Sequence, residues 1–205
     1  MPVKILLTAF NPFGGASVNP SWEAVSRVSE EMDGIVLKKL LVPTIFGESG
    51  DIVNATANEW DANAIICVGQ AGGRYDISLE RVAINLDDAS IPDNAGNQPI
   101  DRPISENGSA AYFSSIPNKA IIAALHQAGI PASLSNTAGT YVCNHLLYRV
   151  MEEIALHASS RLGGFIHVPY LPQQVLHHSH TPSMSLECIV RALEIAVQTT
   201  ARSLI

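Results

Sequence analysis

Basic residues are scarce in this chain of 205 residues: 12 Lys and Arg stand against 19 Asp and Glu, a formal net charge of −7. A nucleic-acid backbone is gripped by clustered cations, so the scattered few here exclude a nucleic-acid surface. Long apolar runs are missing too. The opening "MPVKILLTAF" has one Lys and an apolar stretch far shorter than the roughly 20 residues of a membrane helix. Pro and Gly follow at once, as after a buried strand, so neither a span nor a signal peptide is expected. Cysteine is limited to Cys67, Cys143 and Cys188, an odd number at wide and irregular spacing. That pattern suits reduced thiols in a reducing compartment, the cytoplasm, and not a disulfide framework. Low-complexity tracts, repeats and linkers are absent.

Apolar residues make up 47% of the chain. A length of 205 residues with that content supports one domain over 1–205 with a sizeable core. Strand-like runs are "VKILLTAF" (3–10), "GIVLKKLLVP" (34–43), "NAIICVG" (63–69), "ERVAINLD" (80–87), "ASLS" (132–135) and "GFIHVP" (164–169). Several are continuously apolar, as parallel strands covered on both faces are. Helical patterns lie between them. "NPSWEAVSRVSEEM" has Asn19 as N-cap and Pro20 at its first position, with Gly34 beyond its end. "FGESGDIVNATANEW" is a second helix. "IPNKAIIAALHQAG" is a third, started by Pro117 and stopped by Gly129. A fourth follows Cys143, and a fifth spans 183–203. The alternation predicts an α/β fold: a three-layer α/β/α sandwich around a mostly parallel central sheet. The stretch 70–115 has no helical pattern and is rich in Gly, Pro, Asp and Asn, which marks a functional loop or an oligomer contact. In open α/β sheets ligands bind at the carboxyl ends of the strands.

Cys143 falls in the first turn of the fourth helix. The positive helix end would favour a thiolate, and the free amides there could hold an oxyanion. It is either a nucleophile or a small buried hydrophobe. Cys67, inside "AIICVG", reads as core filler. Cys188 is structural or at a subunit contact. His126 and His157 sit near helix C-termini, where a cation suits the dipole. His145, two residues beyond Cys143, is expected to point to a different face. The "HHSH" run (His177, His178, His180) lacks partners at ligand spacing and reads as a solvated loop, so no metal site is expected. His167, near the end of a buried strand that Pro169 terminates, is either a catalytic base or a hydrogen-bonded core histidine. Glu80 is an acid against an apolar run and needs a partner: Arg81, Arg74 or His167. The glycines of "VGQAGGR" suggest phosphate binding only weakly, being neither GxGxxG nor a P-loop. Phe10 and Phe13 of "FNPFGG" either cap the core or line an apolar pocket.

Six segments, "TAFNPFGG", "VGQAGGR", "SLERVAIN", "IPDNAGNQP", "SNTAGTYVCNHLLY" and "FIHVPYLP", occur in order over essentially the whole chain. Together they resemble the pyrrolidone carboxyl peptidases, or pyroglutamyl peptidases I. The resemblance implies a flavodoxin-like (phosphorylase/hydrolase-like) fold. It implies a cytoplasmic cysteine peptidase that removes an N-terminal pyroglutamyl residue without metal or cofactor, usually as a homotetramer. By position Cys143 matches the nucleophile, His167 the general base and acid, and Glu80 the third member. Phe10, Phe13, Thr44, Gln70, Ile91, Tyr141 and Val142 match the substrate pocket. The chain departs at Ser90, where the family commonly has Arg, at Asn11, and at Tyr141, where Phe is frequent. Two alternatives follow: a small-ligand or phosphate-binding protein using "GQAGGR", and a low-activity relative because of Ser90.

Overall fold

The computed structural model describes residues 2–205; Met1 lies outside the described residues. A six-stranded sheet forms the middle layer. Its strands are β1 (Val3–Phe10), β2 (Ile35–Val42), β3 (Ala64–Gln70), β4 (Ile77–Glu80), β7 (Ala132–Ser135) and β8 (Leu162–Val168). The spatial order is β2-β1-β3-β8-β4-β7. β2, β1, β3 and β8 run parallel. β4 is antiparallel to β8, and β7 is parallel to β4. The sheet is therefore mostly parallel, with its last two strands reversed.

Alternate residues of each strand feed different faces. Ile5, Leu7, Ala64, Ile66, Val68 and Ile166 pack on one side with helices α1 (Pro20–Val25), α3 (Asn118–Gln127) and α5 (Leu186–Arg202). Leu6, Phe10, Ile65, Cys67 and Phe165 pack on the other with α2 (Glu48–Glu59) and α4 (Val142–Leu156). This is the expected three-layer sandwich. Strand and helix boundaries depend on local chemistry. Asn19 caps α1 by accepting from Ser21 N, with Pro20 at the first turn. The helix stops at Val25, well short of the predicted Met32: the backbone tightens into i+3 turns, Arg27 N to Ala24 O and Val28 N to Val25 O, and Ser29 Oγ then accepts from Glu31 N. The last helix starts at Leu186, later than 183, where Ser185 accepts from Cys188 N. α2 begins at Glu48 because Gly47 has φ of 75° and ψ of −64°.

The predicted strand 80–87 is corrected. It breaks after Glu80, which closes β4 and does not open a strand. Val82–Ile84 (β5) leaves the sheet and pairs with Ala111–Phe113 (β6) as a separate two-stranded ribbon. The rest of 85–110 is irregular. Among the described residues no helix is long and apolar enough to cross a membrane.

Candidate active site

The register of the sheet brings the candidate residues to one face. Gly69 of β3 lies opposite His167 of β8, and Glu80 of β4 lies opposite Phe165. Phe165 belongs to the α4 side of the core, so by alternation His167, Glu80 and the bare Cα of Gly69 face α4 as well. Cys143 is the second residue of α4. A Cβ placed on Gly69 would lie 3.0 Å from Cys143 Sγ and 2.8 Å from Phe165 Cζ. Any side chain there would collide with the sulfur. The His167 ring packs on Phe165 with centroids 4.7 Å apart. Sulfur and imidazole thus share one corner of the sheet rim, with no hydrogen bond between them.

Glu80 is fully buried. Its Oε1 accepts from both Arg74 Nη1 and His167 Nδ1, each at 2.7 Å. Of the three partners considered for Glu80, two are present and Arg81 is not. Burial works against the Glu80 charge, but the His167 hydrogen bond and attraction, the Ser135 hydroxyl and Arg74 outweigh it and hold the carboxyl below its ordinary range. An ionised Glu80 can only accept, so His167 carries its proton on Nδ1 and a neutral ring presents a lone pair at Nε2. That Nε2 makes no hydrogen bond to any described residue.

One expectation meets an opposing effect. The helix end was expected to favour a thiolate at Cys143. Burial, reinforced by the Glu80 carboxylate and Cys67, pushes the thiol up to about 12. Burial thus opposes the charge that the helix end favours, which gives the sulfur a use for a base when it attacks. The helix end is nevertheless open: Tyr141 precedes it with no side-chain cap, so the first amides have no intrahelical partner.

Beside this corner is an aromatic slot. Phe13 and Tyr141 rings lie 6.0 Å apart, and Phe46 meets Tyr141 edge-on at 5.4 Å. Ile91 is 41% exposed and closes over Gly14, its Cδ1 3.7 Å from where a Gly14 Cβ would be. Thr44 is buried, its hydroxyl donating to Asn11 O at 3.1 Å and its N–H to Asn11 Oδ1 at 2.8 Å. Val142 is buried behind the slot. Phe10 is not on the loop; it closes β1, is 2% exposed and packs on Phe165, so it caps the core beneath the slot. The Gln70 side chain points to the opposite face and accepts from Gln174 Nε2 at 3.0 Å. Ser90 is exposed next to Ile91.

Sequence reasoning missed the scaffold of the slot. Asp93 laces its own loop to the one before α2: Oδ2 accepts from Phe46 N at 2.9 Å, and Oδ1 from Ala95 N and Asn97 N. Burial opposes its charge, but hydrogen bonds from Asn97, Phe46 and Ala95 prevail and keep it below the usual carboxylate range. Asn94 Nδ2 donates to Pro12 O and Asn11 Oδ1. The Asp-Asn pair in "IPDNAG" is a turn signal that could have pointed here. His145 does face away from Cys143, as expected, but it has its own carboxylate. Its Nδ1 is 2.8 Å from Asp87 Oδ2, and its Nε2 accepts from Gly47 N at 3.0 Å. Glu48 N bonds Phe46 O at 2.9 Å, which makes Gly47 the centre of a strained γ-turn. The His145 ring also supports Phe46 edge-on at 5.6 Å.

The other candidates have packing or local hydrogen bonds of their own. Cys67 is fully buried, and Cys188 packs on the edge of the core. His126 bonds Ala132 O at 2.8 Å, a more specific role than the helix dipole. His157 bonds Glu153 O at 3.0 Å. "VGQAGGR" leads into a strand and not a helix, so it lacks the amide cluster of a phosphate loop. Among the described residues no group of three or more His, Cys, Asp and Glu is gathered to hold a metal ion.

Known proteins share both sequence and fold with this chain. The family model described as pyroglutamyl peptidase (Peptidase_C15) matches residues 3–203. A pyrrolidone-carboxylate peptidase 2 of Caldanaerobacter subterraneus subsp. tengcongensis is 51% identical over 201 residues, 98% of each chain. A pyrrolidone-carboxylate peptidase of Brevibacillus brevis is 52% identical over 197 residues, 96% of this chain and 92% of that one. The crystal structure of pyroglutamyl peptidase I from Bacillus amyloliquefaciens superposes with a TM-score of 0.95 at 50% identity, covering 98% of this chain and 96% of the other.

Proposed function

Since this chain belongs to the pyroglutamyl peptidase family, we infer that it is a cysteine peptidase that removes an N-terminal pyroglutamyl residue from peptides, with Cys143 as nucleophile, His167 as base and acid, and Glu80 as the group that orients the ring. One observation carries the assignment of roles: Glu80 and His167 are joined at 2.7 Å on the strand position facing Gly69, the residue against which Cys143 Sγ packs.

The chemistry follows from the protonation states. Substrate enters with its lactam ring in the slot of Phe13, Phe46 and Tyr141. This ring is neutral and flat, so aromatic and aliphatic walls with a few backbone partners suit it better than a charged clamp. Thr44, Ile91, Val142 and the backbone at Gln70 complete the enclosure, with Phe10 beneath. His167 Nε2 takes the Cys143 proton as the sulfur attacks the carbonyl carbon. The open amides at the start of α4 receive the oxyanion. They make up for the neutral Ser90, which brings no positive charge. His167 then protonates the leaving amine, the C–N bond breaks and a thioester remains. Water gives a proton to His167, attacks the thioester and expels the sulfur, which recovers its proton. Free pyroglutamate leaves. His167 itself, with Ser135 and Arg74, keeps Glu80 ionised, so Nδ1 stays the donor to Glu80 while Nε2 takes and returns the proton.

Hydrolysis of a pyroglutamyl chromogenic amide tests the assignment. The wild-type protein turns it over, and Cys143→Ala, with unchanged circular dichroism, does not. A fully active Cys143→Ala protein refutes the roles. Prolyl amide lacks the lactam carbonyl, and the buried group left unpaired costs about 1–3 kcal/mol, so its kcat/KM is expected to be at least about fivefold lower. Equal rates would refute this account of the slot.

The three free thiols suit a reducing compartment, and we assign the protein to the cytoplasm. We assign residues 1–205 to one domain acting as an oligomer, a homotetramer. Light scattering giving a monomer mass at micromolar concentration would refute it.

A further inference from the structure

The rim of the sheet carries a second hollow that the slot leaves unused. It encloses about 690 Å³ between residues 15–18, the glycines after β3 and the segment that follows β8. That volume lies within the range of small-ligand sites, roughly 300–1,000 Å³. By register the hollow lies near the reacting corner, linked to it through Gln70. Gln70 follows Gly69 directly and lies opposite Val168, next to His167. Gln174, a wall of the hollow, donates from Nε2 to Gln70 Oε1 at 3.0 Å and reaches Val18 O at 3.5 Å. Gln70 points to the face away from α4, so slot and hollow flank the rim on opposite sides. One loop joins them: Phe13 stands against Tyr141 in the slot, and Gly15 to Val18 border the hollow.

The lining is mixed and carries no permanent charge. Ser17, Tyr170, Gln173, Gln174 and Thr181 offer hydroxyls and amides, Ala16 and Val18 add apolar wall, and His178 of the "HHSH" run also lines it. No Asp, Glu, Lys or Arg is among the lining residues. Backbone is bare in two places. Gly15 and Gly73 have φ of 79° and 88°, and a Cβ on either would meet nothing within 4 Å. Gly72 is glycine for another reason, since the Tyr170 ring fills the space of its Cβ.

We propose that this hollow receives the substrate's peptide chain on the leaving-group side of the scissile bond, binding its main chain by hydrogen bonds without selecting the charge of its side chains. The proposal rests on the reading of Cys143 and His167 as the reacting pair. With the lactam ring held on the α4 side, the leaving nitrogen must stand at His167 Nε2 to collect its proton, and the chain beyond it crosses the rim toward Gln70. An extended chain advances about 3.3 Å per residue, so the first two or three residues span the hollow. With no Lys or Arg on its walls the hollow has no permanent clamp for a terminal carboxylate. It therefore suits a chain that runs through, and not a dipeptide alone.

The test is a length series. Pyroglutamyl peptides carrying one to four further residues and a C-terminal amide are compared with a pyroglutamyl anilide. The kcat/KM is expected to rise at least about fivefold between one and three residues, the worth of roughly one net hydrogen bond, and then to level off. Exchanging Lys for Glu at the second and third positions is expected to change it by less than about twofold. Thr181→Trp and Gln173→Trp fill the hollow, so the ratio of long to short substrates falls to about one, through KM. Gln173→Glu, a small change at an exposed position, keeps the test readable should the tryptophan variants misfold. It is expected to favour Lys-bearing over Glu-bearing peptides at least about threefold. A wild-type ratio of one overturns the proposal, as does a raised ratio that none of the variants alters. Turnover of the anilide without length dependence sinks only this proposal; no turnover of any pyroglutamyl amide sinks the underlying function.

Discussion

Glu80–His167 and Asp87–His145 are alike in kind and differ in what meets the second ring nitrogen. Both are buried imidazoles with a carboxylate oxygen at 2.7 or 2.8 Å from Nδ1. In the first pair Nε2 is left without a partner at the rim. In the second Nε2 is committed to Gly47 N. A carboxylate beside a histidine therefore does not identify a catalytic base; the free nitrogen does. His145 holds a strained turn, and through Phe46 and Tyr141 it holds the wall of the slot. His167 holds nothing and is free to move a proton.

The sharpest way to break this contrast is to remove each ring. His167→Gln is expected to lower kcat by at least about a thousandfold, the upper part of what general acid–base catalysis supplies. His145→Phe is expected to raise KM about tenfold or more with kcat changed far less, and His145→Gln, which restores an acceptor for Gly47, should recover most of it. Equal kcat losses at both positions would erase the distinction. Steady-state kinetics on the chromogenic amide decides.

The carboxylates give a smaller effect. Glu80→Gln is expected to slow kcat about ten- to a hundredfold, much less than loss of Cys143, because ring orientation is weakened while nucleophile and base remain. Arg74→Met leaves Glu80 buried without its cation, so the acid limb of the pH–kcat profile should move to higher pH. An unmoved limb would remove Arg74 from the account.

Next comes the fold itself. Asp87→Asn replaces the acceptor of His145, and a buried hydrogen bond to a charged group is worth about 1.5–3 kcal/mol, which urea unfolding would register. A loss under about 0.5 kcal/mol would show that the second pair is dispensable to stability.

The smallest effect concerns pH and stability. Glu80 titrates below its ordinary range when folded, so its contribution is full above the unfolded value and is lost as pH falls through the folded one. Burial pushes Cys67 and Cys143 up to about 12 from 9.0. Their thiols stay protonated when folded while the unfolded chain ionises, so stability declines as pH rises from 9.0 toward 12. The thermal midpoint should fall above pH 9, and Cys67→Val should soften that fall. An unchanged slope would count against burial as the cause.

Much of this was legible in the sequence. Apolar runs marked β1, β2, β3, β7 and β8 closely, and Asn19–Pro20 marked the start of α1. Other features depend on tertiary pairing. Glu80 and His167 are 87 residues apart, and only the antiparallel docking of β4 on β8 unites them. The run 80–87 looked like one strand because Val82, Ala83, Ile84 and Leu86 sit in it without a turn signal; the break after Glu80 comes from the pull of β4 into the main sheet and β5 into its ribbon. β6 is three residues in a polar context, too short to announce itself. His145 went unassigned because its partners, Asp87 and Gly47, lie on other elements, and no spacing along α4 points to them.

Gly69 has a consequence for anyone wishing to transplant this chemistry. The sulfur fits against the sheet because the middle strand is bald at that one spot. A graft of cysteine, histidine and glutamate onto another open α/β scaffold would need a matching gap across from the histidine. Without it the helix would be lifted off by about the width of a methyl group, and the three side chains would be present but out of reach of each other.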